Sequence, residues 1–350
     1  MKLYPNRLLR LVLVISFIVG LVACKPNPQD DIALFQPFIT ENINKKSDDP
    51  YISSTVKPGD KLYDILVNIQ HGDTHSAYEK LMVLVDKNDY EAQFLVAKMI
   101  YQASSQSIAR AIKLYKQSAN QGNPYAYYEL SPLGKGCLAY FGKKTCTDEN
   151  FNKAIELFKS LAEKGDLRAQ YFLLKQQELD QSKETRAQYI QEVIRFSQYH
   201  YYQPLMDYVN TILIRPQDKF NYEAKTPELY QLAIQLLTVA ANNNYIPAIE
   251  FLVRQDSDLK SNDDLYLKLK TLGGTHFYKT RFFEFKKEFN NSKLYCYATL
   301  YEAITGSDKL FIGIENAENI TIDCNIEESM KTMTPMVYID GFTSRDDWVD

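Results

Sequence analysis

ARAIKLYKQSANQGNPYAYYEL, residues Ala109 to Leu130, places small and large side chains at a spacing that recurs along the chain. Ala111, Tyr115, Ala119, Gly122, Ala126 and Leu130 stand at offsets 0, 4, 8, 11, 15 and 19. The same offsets give Ala154, Phe158, Ala162, Gly165, Ala169 and Leu173 in one segment, and Ala233, Leu237, Ala241, Asn244, Ala248 and Leu252 in another. An earlier segment gives Ala77, Leu81, Val85, Asn88, Ala92 and Val96. A degenerate copy fits between the third and last, with Tyr189, Val193, Ser197, His200, Pro204 and Tyr208.

Offsets 0, 4 and 8 put small, large and small residues on one helix face, and offsets 15 and 19 do the same on a second helix. Alanine lets two backbones approach, and the larger residue fills the gap between neighbouring pairs. Offset 11 falls where the first helix must stop and turn back, a left-handed position that favours glycine and then asparagine, with histidine also enriched. Its occupants are Asn88, Gly122, Gly165, His200 and Asn244. First positions are spaced 34, 43, 35 and 44 residues apart, so the extra residues of the long spacings form loops.

The quoted segments resemble the Sel-one-like repeats, relatives of the tetratricopeptide repeat, over roughly residues 62 to 255, closely in two copies and more loosely in three. The resemblance implies antiparallel helix pairs stacked into a right-handed superhelix that binds other proteins, often in bacterial envelopes. Repeat lipoproteins of this kind include immunity proteins that neutralise lipase-type toxic effectors from rival bacteria. The expected fold is mainly α: a solenoid of about five helix pairs over residues 61–272, then a small antiparallel β subdomain over 273–350. KLYCYATLY, KLFIGIEN, NITIDCNI and PMVYIDGF, rich in β-formers and separated by turn residues, are its expected strands.

The N-terminus reads as an export signal. Lys2, Arg7 and Arg10 precede an apolar run, Leu11 to Ala23, shorter than the about 20 residues a membrane span needs. Leu21-Val22-Ala23-Cys24 resembles the lipobox of bacterial lipoproteins, which implies cleavage after residue 23 and lipidation of Cys24. Lys25 in place of aspartate favours the outer membrane, facing the periplasm. Residues 24–60, with Pro26, Pro28, Pro37, Pro50 and Pro58, read as a flexible tether whose apolar island Ile32 to Ile39 could dock on the body.

Net charge is −4, and removal of residues 1–23 takes three basic and no acidic residues, leaving −7. Such a balance carries no electrostatic footprint for nucleic acid. Catalytic signals are thin: there is no His-Glu-x-x-His run and no Gly-x-Ser-x-Gly elbow, and Gly134-Lys135-Gly136 lacks the rest of a phosphate loop. His71 and His75 share the i, i+4 spacing of metal ligands, but Gly72, Asp73 and Thr74 between them look like a helix start. Paired acids such as Asp30-Asp31 read as solvated turns. No enzyme, cofactor, metal or small-molecule substrate is expected, and the expected partners are a periplasmic protein and, through Cys24, a membrane.

Four cysteines remain after Cys24, an even number in a compartment that permits disulfides. A zinc site at Cys137 and Cys146 would need further ligands, and no histidine lies near; a redox pair would usually be Cys-x-x-Cys. Sel-one-like repeats can carry bridged cysteine pairs, so the resemblance agrees with a staple at Cys137–Cys146, and Cys296–Cys324 is expected to tie two strands. The 26 tyrosines cluster after the turns, which makes Tyr125, Tyr128 and Tyr202 candidates for a binding face, unless they pack between repeats. Leu138, Tyr140 and Phe141, in the stapled loop, are further partner-binding candidates.

Overall fold

Every left-handed position demanded by the repeat pattern is left-handed: Asn88, Gly122, Gly165, His200 and Asn244 have φ of 62°, 89°, 90°, 58° and 66°. The computed structural model describes residues 26–214, 222–255, 263–288, 290–311, 314, 324–341 and 343. The expected leader, residues 1–23, and Cys24, the expected lipidation site, lie outside the described residues.

Helix α1 spans Pro28–Asn42, and α2 and α3 span Tyr63–Gln70 and Thr74–Asp86. The pairs continue with α4 Tyr90–Ile100, α5 Ser105–Asn120, α6 Pro124–Glu129, α7 Asp148–Glu163, α8 Leu167–Lys175, α9 Lys183–Gln198, α10 Gln203–Ile212, α11 Pro227–Asn242 and α12 Ile246–Gln255. After them come α13 Asp263–Thr271, α14 Thr275–Lys287, α15 Asn291–Thr305 and α16 Ile326–Lys331. Consecutive helices of the repeats pack on one another, giving the expected α solenoid. Two more left-handed turns, Gly72 (φ 84°) and Gly273 (φ 81°), extend the same geometry beyond the five copies.

Capping explains why the helices start where they do. Ser104, Thr147, Ser182 and Thr226 each accept a backbone N–H three residues on, at the heads of α5, α7, α9 and α11. Asp89, Asn123 and Asp166, each directly after a left-handed residue, cap α4, α6 and α8. One residue reverses the chain and the next starts the returning helix. Ala111, Ala126, Ala154, Ala169, Ala233 and Ala248 are all fully buried, as close helix approach requires.

The long spacings form loops. Residues 131–147 fold around a single wide turn at Cys137–Phe141. The other carries the small β part, Leu213–Ile214 (β1) paired antiparallel with Glu223–Ala224 (β2).

The tether expectation requires correction. Residues 28–42 form α1, which packs on α9 and α11 with Asp31, Phe35, Phe38 and Ile39 buried. Its prolines fit a helix: Pro28 takes the first turn, where no N–H is needed, and Pro37 faces solvent, where the carbonyl it leaves unbonded can meet water. The connection to α2 is held as well, since Ser53 Oγ donates to the Asn243 carbonyl at 2.6 Å and the Asn244 amide donates to the Asp49 carbonyl at 2.7 Å.

The C-terminal strands also require correction. KLYCYATLY lies within helix α15, because Leu294, Ala298, Tyr301 and Thr305 share one buried face that outweighs local β-propensity. Parts of KLFIGIEN and NITIDCNI lie outside the described residues. PMVYIDGF is extended up to Gly341 but pairs with no strand among the described residues. It runs across the solenoid, where Met336 joins the core formed by α1, the later repeats and α15, while Val337 and Ile339 join the core of the first two repeats.

Those cores meet because the solenoid curves back on itself. Gly273, in the turn between α13 and α14, stands so close to His71, in the turn between α2 and α3, that a Cβ at Gly273 would lie 3.2 Å from His71 Nε2. A Cβ on Gly306, past the end of α15, would lie 3.3 Å from the Asp73 carboxyl.

Candidate interaction site

The loop after α6 forms a rigid knuckle. Gly134 passes so close to α6 that any Cβ there would stand 2.4 Å from the Glu129 carbonyl oxygen, so the position excludes other residues. Gly136 and Gly142, both at φ 78°, bracket the wide turn, which closes with a bond from the Gly142 N–H to the Cys137 carbonyl at 3.1 Å. Cys137 and Cys146 are disulfide-bonded with Cα atoms 5.9 Å apart, and both are buried. The Asn150 side chain, at the head of α7, donates to the carbonyls of Leu130 and Thr145 at 2.8 and 3.1 Å and fixes both ends of the loop.

The knuckle presents apolar side chains to solvent. Leu133 is 58% exposed, Leu138 50% and Tyr140 41%. Tyr140 meets Tyr101 edge-on at 5.6 Å, and the half-buried Phe141 contacts Tyr101 at 6.1 Å and Tyr115 at 5.9 Å. The outer side chains therefore stand on a packed aromatic base, with little conformational freedom left to lose on binding. Lys135, Lys143 and Lys144 are exposed on the same loop.

Of the tyrosines expected on an open face, Tyr202 is buried, while Tyr125 and Tyr128 are half-buried between neighbouring helix pairs. Tyr202 is 2% exposed and packs on the Tyr245 ring at 5.6 Å. Tyr125 lies between Phe94 and Phe158, at 5.9 and 5.1 Å, and Tyr128 meets Phe172 at 5.4 Å. Burial pushes all three hydroxyls above the usual tyrosine range. These positions follow the turn directly, where side chains point into the neighbouring pair, so aromatic size is used for packing between repeats.

Beside Tyr125 a cleft of about 210 Å³ opens over Leu62, Leu66, Phe94 and Leu161, with Tyr90, Glu91, Asp166 and Arg168 at its edge. Asp166 is held there by bonds from the Arg168 and Ala169 N–H groups and from the Arg168 guanidinium, all at 2.9 to 3.0 Å. Those bonds and the adjacent guanidinium hold its carboxyl below the usual range, although burial opposes them. Lys98, nearby and buried, donates to the Gly341 carbonyl at 2.9 Å and stands 4.0 Å from Glu129. Burial lowers the Lys98 pKa and raises that of Glu129, each towards its uncharged form.

The histidines are separated by the fold. His71 is buried, while His75 lies on the exposed face of α3 beside Glu79 at 3.4 Å. Among the described residues no group of three or more histidines, cysteines or acids could hold a metal ion, and no helix is long and apolar enough to cross a membrane. Cys296 and Cys324 are also disulfide-bonded, joining α15 to the segment ahead of α16 rather than two strands.

Sequence reasoning missed one polar cluster. Asp31 on α1 is fully buried, and Arg186 on α9 reaches it at 2.7 Å while the Tyr208 hydroxyl donates to it at 3.0 Å. The spacing of Asp31, Phe35, Phe38 and Ile39 carries the helical period that could have revealed it.

The chain carries two Sel1 repeats: the family model of the Sel1 repeat matches residues 91–123 and 124–166. Each match begins at the second helix of one pair and ends just past the turn of the next, so both are half a repeat out of phase with the helix pairs. Sel1 repeats indicate a scaffold for protein–protein interaction. No curated protein and no solved structure matches the chain.

Proposed function

We propose that this chain is a non-enzymatic scaffold, lipid-anchored at Cys24 and facing the periplasm, that holds a protein partner on its knuckle. The observation that carries the reading is the exposure of Leu138 and Tyr140 on a disulfide-pinned loop within the matched Sel1 repeats. A group of exposed apolar side chains held on a fixed base is the kind of surface that marks an interaction site, and tyrosine is among the residues that dominate such interfaces. The leader and lipobox-like sequence support the anchor and compartment.

The test is capture of envelope proteins by immobilised chain. Wild type should retain specific partners, and Leu138→Asp with Tyr140→Ala should lose them by tenfold or more with melting temperature unchanged. Equal retention by the variant removes the knuckle from the interface. In the sharper reading the partner is a lipase-type toxic effector encoded beside this chain's gene, and the chain is its immunity protein. That version requires tight binding of the neighbouring product and rescue of cells making it in the periplasm, whereas several unrelated envelope partners favour general scaffolding. Hydrolytic activity in purified chain would instead support an envelope enzyme, and retention on peptidoglycan a cell-wall binder.

A further inference from the structure

The segment that crosses the solenoid, residues 334–341, is gripped as a bound peptide would be. Gln70, fully buried, donates to the Met336 carbonyl at 2.8 Å and accepts the Tyr338 N–H at 3.0 Å, imitating one rung of a β ladder with a single side chain. The Tyr63 hydroxyl donates to the Pro335 carbonyl at 2.6 Å, the Thr55 N–H to the Val337 carbonyl at 2.8 Å, and the Thr55 hydroxyl to the Ile339 carbonyl at 2.6 Å. With Lys98 on the Gly341 carbonyl, this recognition is directed at backbone groups that any extended chain possesses.

Side-chain selectivity is added at fixed positions. Val337 and Ile339 are buried among the first two repeats, and the Asp340 carboxylate accepts the Tyr201 hydroxyl at 2.9 Å. At Gly341 a Cβ would stand 2.3 Å from the Tyr125 ring, so only glycine fits. The groove therefore reads, over residues 336–341, the pattern apolar, apolar, half-buried aromatic, apolar, Asp, Gly. The cleft of about 210 Å³ runs alongside Ile339, Asp340 and Gly341 and leaves one flank of the segment open to a competitor.

We propose that this groove is a receptor for an extended peptide of that pattern, and that residues 334–341 are its resident ligand, displaced when a partner supplies an equivalent segment. The site is distinct from the knuckle. The helices that carry Lys98 and Tyr125 are capped by Asp89 and Asn123 without help from the segment, so these walls of the receptor do not depend on its presence.

The test uses the full chain and a fluorescent synthetic peptide of residues 333–341. Val337→Asp with Ile339→Asp should expel the resident segment, keep the helical circular dichroism of wild type, and bind the peptide at least tenfold more tightly than wild type does. Adding Gln70→Ala, or replacing Gly341 by alanine in the peptide, should weaken that binding tenfold or more. Leu138→Asp with Tyr140→Ala should not alter it, so loss of the knuckle reading leaves this one standing. A folded Val337→Asp, Ile339→Asp chain that does not bind the peptide overturns the proposal, and so does a variant that loses its helices, because the segment is then part of the core.

Discussion

The carboxylate of Asp31 and the guanidinium of Arg186, 155 residues apart in sequence, meet at 2.7 Å with Asp31 fully out of solvent. This pair fastens α1 to the fourth helix pair.

Removing one partner leaves the other buried without its counter-charge. Asp31→Ala should therefore cost about 3 kcal/mol, in the range for breaking a buried ion pair. Urea unfolding should show the loss, and Asp31→Ala with Arg186→Met should recover part of it. A single-variant loss below about 1 kcal/mol, as for an exposed pair, would show that α1 is not held this way.

Gly165 has φ of 90°, and nothing lies within 4 Å of where a Cβ would project. Substitution there tests backbone conformation without steric conflict. Gly165→Ala should destabilise by about 1–2 kcal/mol, the cost of a left-handed conformation for a residue with a side chain. Asn244→Gly removes the same strain but also the bonds from its amide to the Ser47 and Asp49 carbonyls, at 3.2 and 2.7 Å. It should be destabilising despite glycine's freedom, and the sign of the melting-temperature change decides.

Burial lowers the pKa of His71 to about 4, opposed by the adjacent Gly273 backbone and by Asp73. The unfolded chain takes up a proton near pH 6.5 and the folded chain does not until about pH 4, so stability contributed by neutral His71 falls as pH drops through that window. From pH 7.5 to 5 the loss from this residue should be about 2 kcal/mol. His276, also lowered to about 4, first by burial and then by Arg254 and Lys279, adds a loss of the same sign. Urea midpoints at the two pH values should separate less in His71→Gln than in wild type.

Closing the nine-residue separation of Cys137 and Cys146 contributes about 2.5 kcal/mol in the chain-entropy model, and the 28-residue separation of Cys296 and Cys324 about 3.5. Cys137→Ser with Cys146→Ser should lower the unfolding free energy by up to the first amount. It should also loosen Leu138 and Tyr140, so hydrogen exchange over residues 133–146 should quicken while that of α9 to α12 stays unchanged.

The repeat core was legible because it depends on local rules. Alternating small and large residues require a close helix pair, and a left-handed residue at offset 11 requires the turn, so His200 could be placed as well as Gly122. What escaped depends on distant contacts. Asp31 looks like a solvated acid until Arg186 arrives from another helix, and the five prolines of residues 24–60 conceal a helix because Pro28 sits in its first turn, where no N–H is needed, and Pro37 on its solvent face, where the carbonyl left unbonded can meet water. KLYCYATLY has strand-forming composition and becomes helical through the face that α15 buries. For residues 335–341 the extended backbone was readable, but its partners are the side chains of Gln70, Tyr63 and Thr55 and the backbones of Thr55 and Leu272, which no strand-pairing rule anticipates. The tyrosines show the same limit: their frequency after turns was plain, while the neighbouring repeats that bury Tyr125 and Tyr202 were not.

An open stack of helix pairs behaves as a one-dimensional array, in which terminal units fray first and unfolding spreads inward. The approach of Gly273 to His71, and of Gly306 to Asp73, denies this array its free ends. Loss of either end exposes the other, so local opening cannot begin at a terminus at small cost. The molecule should unfold in one cooperative transition, with amide exchange in α3 and α14 as slow as in α9, and it should fold slowly for an α protein because its last contacts join its most distant residues.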